Sequence, residues 1–431
     1  MKKIITTILM WESRLILARY KPFIVAITGS VGKTSTKDAI YVALKNQIKY
    51  VRKTEKSMNS EIGLPLTIIG VPNAWHSWSG WINNLLKGLN LIIFKNSYPD
   101  CLVLELGADH PGDIRNTAKW LQPHIAVITR VSKTPVHVEF FPSPEKVFEE
   151  KASLATSVRS GGAVVLYSDD EKVMSIAKMV EKNNVKVFSF GLNENADVRG
   201  VNNKIDYDEH LRPISFSFDV VSDGQNHPVK IKKVIGETYM YPILSAIAVV
   251  KAKSLDISTS IKALNEYEAP KGRMNILEGI NDSVIIDDTY NSSPDAVMSA
   301  FNSLKDLQCS GKKIAVLGDM MELGKHSNDE HKNIGRESVK FFNMLITVGS
   351  RSYATASEAI SAGFPKENVF SFDRSREAGE FLVSKIASGD IILVKGSQST
   401  RMERVVALLL KEPQKADRLL ARQEKEWLEK K

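Results

Sequence analysis

The feature that most constrains the fold is an apolar strand followed directly by a short glycine-containing loop and a helix. The run FIVAIT (23–28) leads into Gly29, Ser30, Val31, Gly32, Lys33, Thr34 and Ser35, and the helix-prone segment TKDAIYVALK follows. Small residues let backbone N–H groups point inward around phosphate oxygens, and a helix N-terminus adds partial positive charge. We therefore expect Lys33 to contact the β- and γ-phosphates of a nucleotide and the Thr34 hydroxyl to ligate Mg²⁺.

The loop departs from the usual phosphate-binding pattern. G-x-x-x-x-G-K-[ST] has a glycine where this chain has Ile27, so the loop is a shortened variant. The alternative is a chance Gly/Lys turn, but the strand before the loop and the helix after it favour nucleotide binding.

Short β-rich apolar runs alternate with helix-length segments, which is the pattern of a parallel sheet covered by helices. The first set of runs is FIVAIT, CLVLEL (101–106), IAVIT (125–129), AVVLY (163–167) and VKVFSF (185–190). Alternation such as ISFSFDV within 195–235 predicts an antiparallel edge or small subsheet. After EAPKGR (268–273) the pattern restarts with VIIDD (284–288), IAVLG (314–318), MLITV (344–348) and IILVKG (391–396). An α/β fold with a second α/β domain, and a boundary near 270, is predicted; the charged tail 413–431 is expected to form a solvated helix.

Charge and cysteine content exclude several functions. The net charge is +8, but 58 Lys and Arg are scattered among 50 Asp and Glu, which argues against nucleic acid as a partner. Cys101 and Cys309 lie far apart and match neither a disulfide framework nor a paired-cysteine metal site. This usage suits a reducing cytosol, so a cytoplasmic location is expected.

The amino terminus begins like a signal peptide, but Glu12 and Arg14 interrupt its apolar run. Residues 1–21 are therefore interpreted as an amphipathic leader helix. Peripheral attachment to a membrane through this helix, or through the tryptophan-containing stretch 75–94, is one expectation. Packing of both segments on the protein's own core is the alternative.

Glu105 lies near the carboxyl end of the predicted strand CLVLEL. Ligands of open α/β sheets gather at the carboxyl ends of strands, so this carboxylate should face the phosphate loop. A buried carboxylate needs a partner, and Mg²⁺ prefers oxygen ligands. The alternative is a salt-bridged structural glutamate.

Seven sequence blocks in order resemble the Mur ligase family, over about 22–410. They are GSVGKTSTKD, NSEIGLPLT (59–67), LELGADHPGDI (104–114), GRMNILEG (272–279), DDTYNSSPDAV (287–297), GDMMELG (318–324) with His331, and VKGSQSTRME (394–403). The branch that adds D-alanyl-D-alanine to UDP-N-acetylmuramoyl-tripeptide is the most similar.

The resemblance implies a P-loop ATPase domain with a mostly parallel sheet over 22–270 and a Rossmann-like domain over 271–431. It also implies an ATP-dependent amide-bond ligase of peptidoglycan precursor synthesis, with muramoyl-peptide and dipeptide substrates. ATP would phosphorylate a carboxylate, and an amine would then attack the acyl phosphate. Association with wall enzymes at the membrane is a further expectation.

Matching the family's motifs implies roles for further residues around the nucleotide. His137 falls where these ligases place a histidine on a second Mg²⁺, and Lys151 where many carry a lysine carbamylated by CO₂ that binds the same metal. Arg273 resembles an arginine that reaches ATP phosphate after domain closure. Asp288 and Asn291 resemble nucleotide-facing residues at the domain junction, although Asp287 and Asp288 are also typical of a helix start or turn.

Substrate contacts are implied for another five residues. Asn59 and Glu61 resemble residues of a substrate-facing loop, and Asp319, Glu322 and His331 lie in the amine-substrate region of the branch. The alternative for Asp319 is a helix cap.

Two departures from the family pattern affect recognition of the substrates. The phosphate loop starts at residue 29, so the uridine-nucleotide-binding domain that usually precedes it is expected to be lacking. Thr238, Tyr239 and Pro242 stand where a histidine and asparagines usually lie near adenine, so the base is expected to stack on tyrosine or to be held differently. A Mur-like ligase for another wall peptide, polyglutamate or amino-acid polymer, and a non-catalytic nucleotide-binding scaffold, are the alternative functions.

Overall fold

The structure is a computed structural model that describes residues 2–55, 58, 62–75, 77–132 and 140–428. Its named strands form two sheets. The strands of the first sheet are β1 (Phe23–Thr28), β2 (Val51–Lys53), β3 (Cys101–Glu105), β4 (Ile125–Ile128), β5 (Ala163–Tyr167), β6 (Lys186–Gly191), β7 (Val198–Tyr207), β8 (Pro213–Ser222) and β9 (Gln225–Lys232). The strands of the second are β10 (Asn275–Glu278), β11 (Val284–Asp288), β12 (Lys313–Gly318), β13 (Met344–Val348), β14 (Val369–Phe372) and β15 (Ile391–Lys395).

Helices surround both sheets. Those that accompany the first sheet in sequence are α1 (Lys2–Tyr20), α2 (Lys33–Leu44), α3 (Gly63–Ile69), α4 (Trp78–Ile93), α5 (Asp113–Leu121), α6 (Pro144–Thr156), α7 (Glu171–Met174), α8 (Ile176–Val180), α9 (Met240–Ala252) and α10 (Ile257–Leu264). Those that accompany the second are α11 (Pro294–Lys305), α12 (Ser327–Ser338), α13 (Tyr353–Ser361), α14 (Ser375–Val383), α15 (Glu403–Leu409), α16 (Ala416–Leu419) and α17 (Lys425–Leu428).

The first sheet has the order β2-β3-β1-β4-β5-β6-β7-β8-β9. Strands β2 to β7 pair in parallel, and β8 and β9 extend the sheet antiparallel to their neighbours. The antiparallel subsheet predicted within 195–235 is therefore confirmed. Because β1 and β3 are parallel neighbours inside the sheet, the loop after β1 and Glu105 at the end of β3 lie side by side at the carboxyl ends of the strands.

The second sheet has the order β10-β11-β15-β12-β13-β14, with β10 antiparallel and the other pairings parallel. Strands β11 and β15 are adjacent although more than a hundred residues separate them, and Asp288 pairs in register with Lys395. Both sheets are α/β layers, which confirms the predicted fold class.

Helix α1 packs against α3 and α4, so this helix is integrated into the body of the protein. Leu9 and Ile16 of α1 are fully buried. Helix α4 begins after Ser77, whose hydroxyl accepts a hydrogen bond of 3.1 Å from the Gly80 amide and so satisfies one free donor of the first turn. In the part of the chain that the structure describes, no helix is both long and apolar enough to cross a bilayer.

The prediction that the tail 413–431 forms a solvated helix is wrong for residues 420–422. Helix α16 ends at Leu419, and the next three residues are buried. Arg422 donates to the Thr289 carbonyl at 3.1 Å and forms an ion pair of 3.3 Å with Glu403. The centre of the tail thus packs on the second sheet. Its arginine can be buried there because protein acceptors take the hydrogen bonds that it would otherwise donate to water.

Candidate active site

Backbone hydrogen bonds and two glycines fix the conformation of the loop after β1. The amides of Ser30 and Val31 bond to the Arg130 carbonyl at 2.8 and 3.4 Å. Gly32, at the position before α2, has φ +85°, a left-handed conformation that favours glycine. A side chain at Gly29 would clash with Thr129. These contacts hold the loop against β4, with the N-terminus of α2 at its end.

Lys33, Thr34 and Glu105 form the centre of the site, as the sequence predicted they would meet. The Lys33 ammonium donates to the Gly29 carbonyl at 3.0 Å, and the Thr34 hydroxyl donates to Glu105 Oε1 at 3.2 Å. Burial lowers the pKa of Lys33, while the nearby Glu105 charge opposes that shift and Arg273 reinforces it. Lys37, which the motif analysis did not single out, lies 3.8 Å from Glu105 Oε2.

A hydroxyl and a carboxylate oxygen at the carboxyl ends of β1 and β3 are ligands of the kind that Mg²⁺ takes, with water and phosphate completing the shell. Thr34 and Glu105 therefore fit a magnesium ion by the chemistry of their oxygens. No group of three or more His, Cys, Asp or Glu residues able to hold a metal is found among the residues described. His137, the other predicted metal ligand, lies outside the described residues.

Lys151 is buried in α6, with only 5% of its surface exposed. Burial, reinforced by the Lys33 charge and opposed by Glu150 and Asp109, lowers the pKa of its amine to about 7. Its neighbour Glu150, which sequence reasoning missed, accepts bonds of 2.8 and 2.9 Å from the amides of Ile114 and Arg115 at the start of α5. The Lys151 amine therefore interacts electrostatically with Lys33 of the phosphate loop and is easily deprotonated.

Arg273 extends from the second unit toward the phosphate loop. It lines one cavity with Val31 and Gly32, and its guanidinium stacks over the Tyr290 ring at 4.4 Å. The Tyr239 hydroxyl donates to the Arg273 carbonyl, which ties this segment to the start of α9. The predicted reach of Arg273 toward the loop is consistent with this arrangement.

Asp288 forms a buried ion pair that the sequence analysis missed. The Lys395 ammonium lies 2.6 Å from Asp288 Oδ2 and 2.9 Å from the Asn291 carbonyl. Asn291 thus contacts Lys395 through its backbone carbonyl. Its side-chain amide oxygen accepts from the backbone amide of Ser292 at 2.9 Å. The adjacent Asp287 instead makes a turn by accepting from Thr289 Oγ1 at 2.6 Å, so the two acids have different roles.

The cavity between the two units is lined by polar and aromatic residues. The polar residues include Ser35 of the phosphate loop, Arg273, Asp288 and Lys395, and the aromatic residues are Tyr167, Phe190, Tyr239 and Tyr241. The rings of Tyr167 and Tyr241 meet edge to face with centroids 5.1 Å apart. Thr238 Oγ1 also lines the cavity, is buried, and has no hydrogen-bond partner in the described part of the chain.

Three of the residues predicted to contact the amine substrate lie together in the second unit. Asp319 Oδ1 accepts from the amide and the hydroxyl of Ser352, both at 2.8 Å, at the start of α13. His331 is buried, accepts from the Met320 amide at 3.0 Å and bonds to the Ser327 carbonyl at 2.7 Å. Glu322 follows this turn with φ 63°.

Asp319 thus holds Ser352 at the start of α13, and His331 holds the amide of Met320, so both residues stabilise the loop 319–322. Burial lowers the pKa of His331, which suits a neutral ring with one donor and one acceptor nitrogen. Asn59 and Glu61, the other two predicted substrate residues, lie outside the described residues.

The fold and site define a protein with a phosphate-binding strand–loop–helix unit in one α/β layer, facing a second α/β layer that supplies cationic side chains. A sequence profile of the Mur ligase middle domain matches residues 27–78 and 82–250, and one of the Mur ligase glutamate ligase domain matches 272–398. The chain belongs to the Mur ligase family. It is accordingly an ATP-dependent ligase that forms amide bonds.

Among similar proteins are UDP-N-acetylmuramoyl-tripeptide–D-alanyl-D-alanine ligases. That of Bacillus subtilis strain 168 is 26% identical over 400 residues, covering 90% of this chain and 76% of the relative. That of Buchnera aphidicola subsp. Baizongia pistaciae is 29% identical over 408 residues, covering 91% and 76%. The MurF ligase of Thermotoga maritima, solved with ADP, has a TM-score of 0.76 and 26% identity, covering 95% and 84%.

Proposed function

We propose that this chain joins D-alanyl-D-alanine to a UDP-N-acetylmuramoyl-tripeptide, in the synthesis of peptidoglycan precursors. The observation that carries the proposal is the cluster of Lys33, Thr34 and Glu105 at the phosphate loop, whose neighbours Val31 and Gly32 line one cavity together with Arg273. Relatives at 26% and 29% identity are ligases of that reaction.

In the proposed reaction, an oxygen of the tripeptide carboxylate attacks the γ-phosphorus of ATP and ADP leaves. The dipeptide amine then attacks the acyl carbon, and the tetrahedral intermediate expels inorganic phosphate as the amine loses a proton. Negative charge develops on phosphoryl and carboxyl oxygens in both steps, so fixed cations and amides accelerate the reaction more than a protein nucleophile would.

The amides at the N-terminus of α2 and the Lys33 ammonium would bind the phosphates, and Arg273 would add a second positive charge from the second unit. Thr34 and Glu105 would hold Mg²⁺, which when bound supplies charge neutralisation at the phosphates. Asp288 and Lys395 would orient the nucleotide at the domain junction.

Lys151 is proposed to be carbamylated. A neutral amine is required, since the nitrogen lone pair attacks the carbon of CO₂, forms an N–C bond and releases one proton. Burial supports this by lowering the pKa of Lys151 to about 7. The product is an anionic carboxylate-like group. It would bind Mg²⁺ and attract the Lys33 ammonium, whereas an unmodified Lys151 ammonium would repel both. His137 is proposed to ligate the same metal.

For the base, we propose stacking on the aromatic residues that line the cavity, with Thr238 Oγ1 as a hydrogen-bond partner. Tyr241 and Tyr167 offer apolar faces and accept any purine, so selectivity for adenine over guanine should be weak. Asn59, Glu61, Asp319, Glu322 and His331 are proposed to form or support the substrate-binding surfaces.

The test is amine-dependent ADP release from ATP with a panel of UDP-muramoyl peptides and dipeptides, in Mg²⁺ and bicarbonate. Turnover that requires both a UDP-muramoyl-tripeptide and D-alanyl-D-alanine is expected, and Lys33→Ala should abolish it. Turnover only with a glutamyl substrate would replace this proposal by a polyglutamate-type ligase. An absence of turnover with every pair, while nucleotide still binds, would support the scaffold alternative.

A further inference from the structure

Helix α4 presents an apolar stripe to solvent. Trp78, Ile82, Leu86, Leu89 and Ile93 recur at helical spacing, and each is 40–58% exposed. At 100° per residue these five positions fall within an arc of about 80°. Trp75 and Phe94 continue the stripe at its two ends, with 70% and 63% exposure.

The stripe is separate from the face by which α4 packs on the protein. Asn84, Gly88 and Leu91 are the buried residues of the helix, and they lie on its opposite side. Exposed Ser79, Asn83 and Lys87 occupy the sector between the stripe and the buried face. Packing in the core does not explain this arrangement, because the face of α4 that points away from the core is its most apolar face. Packing on the protein's own core, the alternative for this stretch, therefore describes Trp81, which is partly buried against the core, but not the exposed Trp75 and Trp78.

Helix α1 adds a second exposed apolar surface beside α4. Ile4, Ile8 and Trp11 share one face of α1 and are exposed. The two helices are in contact, and the Tyr20 hydroxyl lies 3.0 Å from the Leu91 carbonyl and 3.1 Å from the Phe94 carbonyl. We call α1 and α4, with the flanking residues Trp75 and Phe94, the α1–α4 surface.

The segments that form and flank the α1–α4 surface are rich in basic residues. Segments 1–22 and 75–99 contain seven basic residues and one acid, Glu12, which is buried. The exposed basic side chains described by the structure include Arg14, Arg19, Lys21, Lys87 and Lys95. A cationic rim around tryptophan and aliphatic side chains is complementary to the anionic headgroups and acyl boundary of a phospholipid membrane.

We propose that the α1–α4 surface docks this protein on an anionic phospholipid membrane, with the stripe of α4 inserted at the headgroup boundary. The attachment is peripheral, because the described helices cannot span the bilayer. A second copy of the chain is a poorer occupant, since self-association would bring the cationic rims together. The inference is independent of the substrate proposed above.

The test is cosedimentation of the full chain with vesicles of phosphatidylglycerol and phosphatidylcholine, compared with phosphatidylcholine alone. Binding to the anionic vesicles is expected, weakening as salt rises. Ile82→Ser with Leu86→Ser should lower the partition coefficient by roughly tenfold or more, since two buried aliphatic side chains are lost. Leu211→Ser with Met179→Ser, which alters two exposed apolar residues elsewhere, is the matched control and should bind as wild type.

Charge is tested separately with Lys87→Glu and Lys95→Glu, against Lys182→Glu and Lys262→Glu as controls of equal charge change. Only the first pair should reduce binding strongly. The substituted side chains are exposed, so circular dichroism and nucleotide binding should stay at wild-type values. Equal binding of wild type and Ile82→Ser/Leu86→Ser to anionic vesicles would overturn the proposal. The proposal would also be overturned if the protein did not bind vesicles and instead formed a dimer, detected by light scattering, that these substitutions dissociate.

Discussion

The ammonium of Lys395 lies 2.6 Å from the carboxylate of Asp288, and both residues are buried at the carboxyl ends of adjacent parallel strands. The pair lines the cavity into which Arg273 and the phosphate loop also project. A buried pair of this kind positions charge near the nucleotide, and it needs both partners because a lone buried charge is costly.

Removing one partner should therefore destabilise the protein strongly. Lys395→Met is expected to lower the free energy of unfolding by about 3–5 kcal/mol, because Asp288 is left charged and buried. Arg376→Ala, which removes an exposed ion pair with Glu380, should cost less than about 1 kcal/mol. Chemical denaturation measures both. A Lys395→Met protein as stable as wild type would contradict the role of the pair.

Thr34 and Glu105 should set the magnesium dependence of turnover. Glu105→Gln keeps the shape of the side chain but removes its charge, so ADP release should fall by about a hundredfold or more and need higher Mg²⁺. Thr34→Val should have a similar effect, whereas Thr34→Ser retains a hydroxyl and should stay near wild type. Titration of ADP release against Mg²⁺ distinguishes these variants. An unchanged requirement in Glu105→Gln would assign the metal to other ligands.

Carbamylation of Lys151 should depend on pH in a defined direction. Because burial lowers the pKa of the amine from 10.5 to about 7, the neutral amine predominates above about pH 7. At constant dissolved CO₂, the carbamate should increase as the pH rises through about 7. Carbon NMR with labelled bicarbonate would show a carbamate signal that is lost in Lys151→Ala. Rescue of that variant by a short carboxylic acid would separate a metal-binding role from a packing role.

Glu12 should make stability depend on pH. Burial raises the pKa of its carboxyl from 4.5 to about 7, so between these values the folded state binds the proton more tightly than the unfolded state does. The contribution is present below about pH 4.5 and is lost as the pH rises to about 7, by at most about 1.4 kcal/mol per pH unit. Glu12→Gln should flatten this dependence in denaturation curves recorded from pH 5 to 8. The same slope in wild type and Glu12→Gln would place the titration elsewhere.

Much of the fold could be predicted from local patterns. The apolar runs at 23–28, 163–167, 284–288 and 344–348 coincide with strands β1, β5, β11 and β13, because parallel strands buried on both faces are continuous apolar segments. Glu105 could be assigned to the phosphate loop since the carboxyl ends of neighbouring parallel strands converge. No local pattern marked Glu150, because its hydrogen bond with the Ile114 amide depends on how α6 packs against the start of α5.

The amino-acid sequence by itself determined the strand–loop–helix unit, the two α/β layers and membership of the Mur ligase family, since these depend on spacing along the chain. The tertiary structure alone decided that Lys395 faces Asp288, that the tail places Arg422 in the interior, and that α4 turns Trp78 and a row of aliphatic residues outward. Helical periodicity reveals that a helix has an apolar face, but only the packing of its other face shows whether that surface meets the core or the solvent.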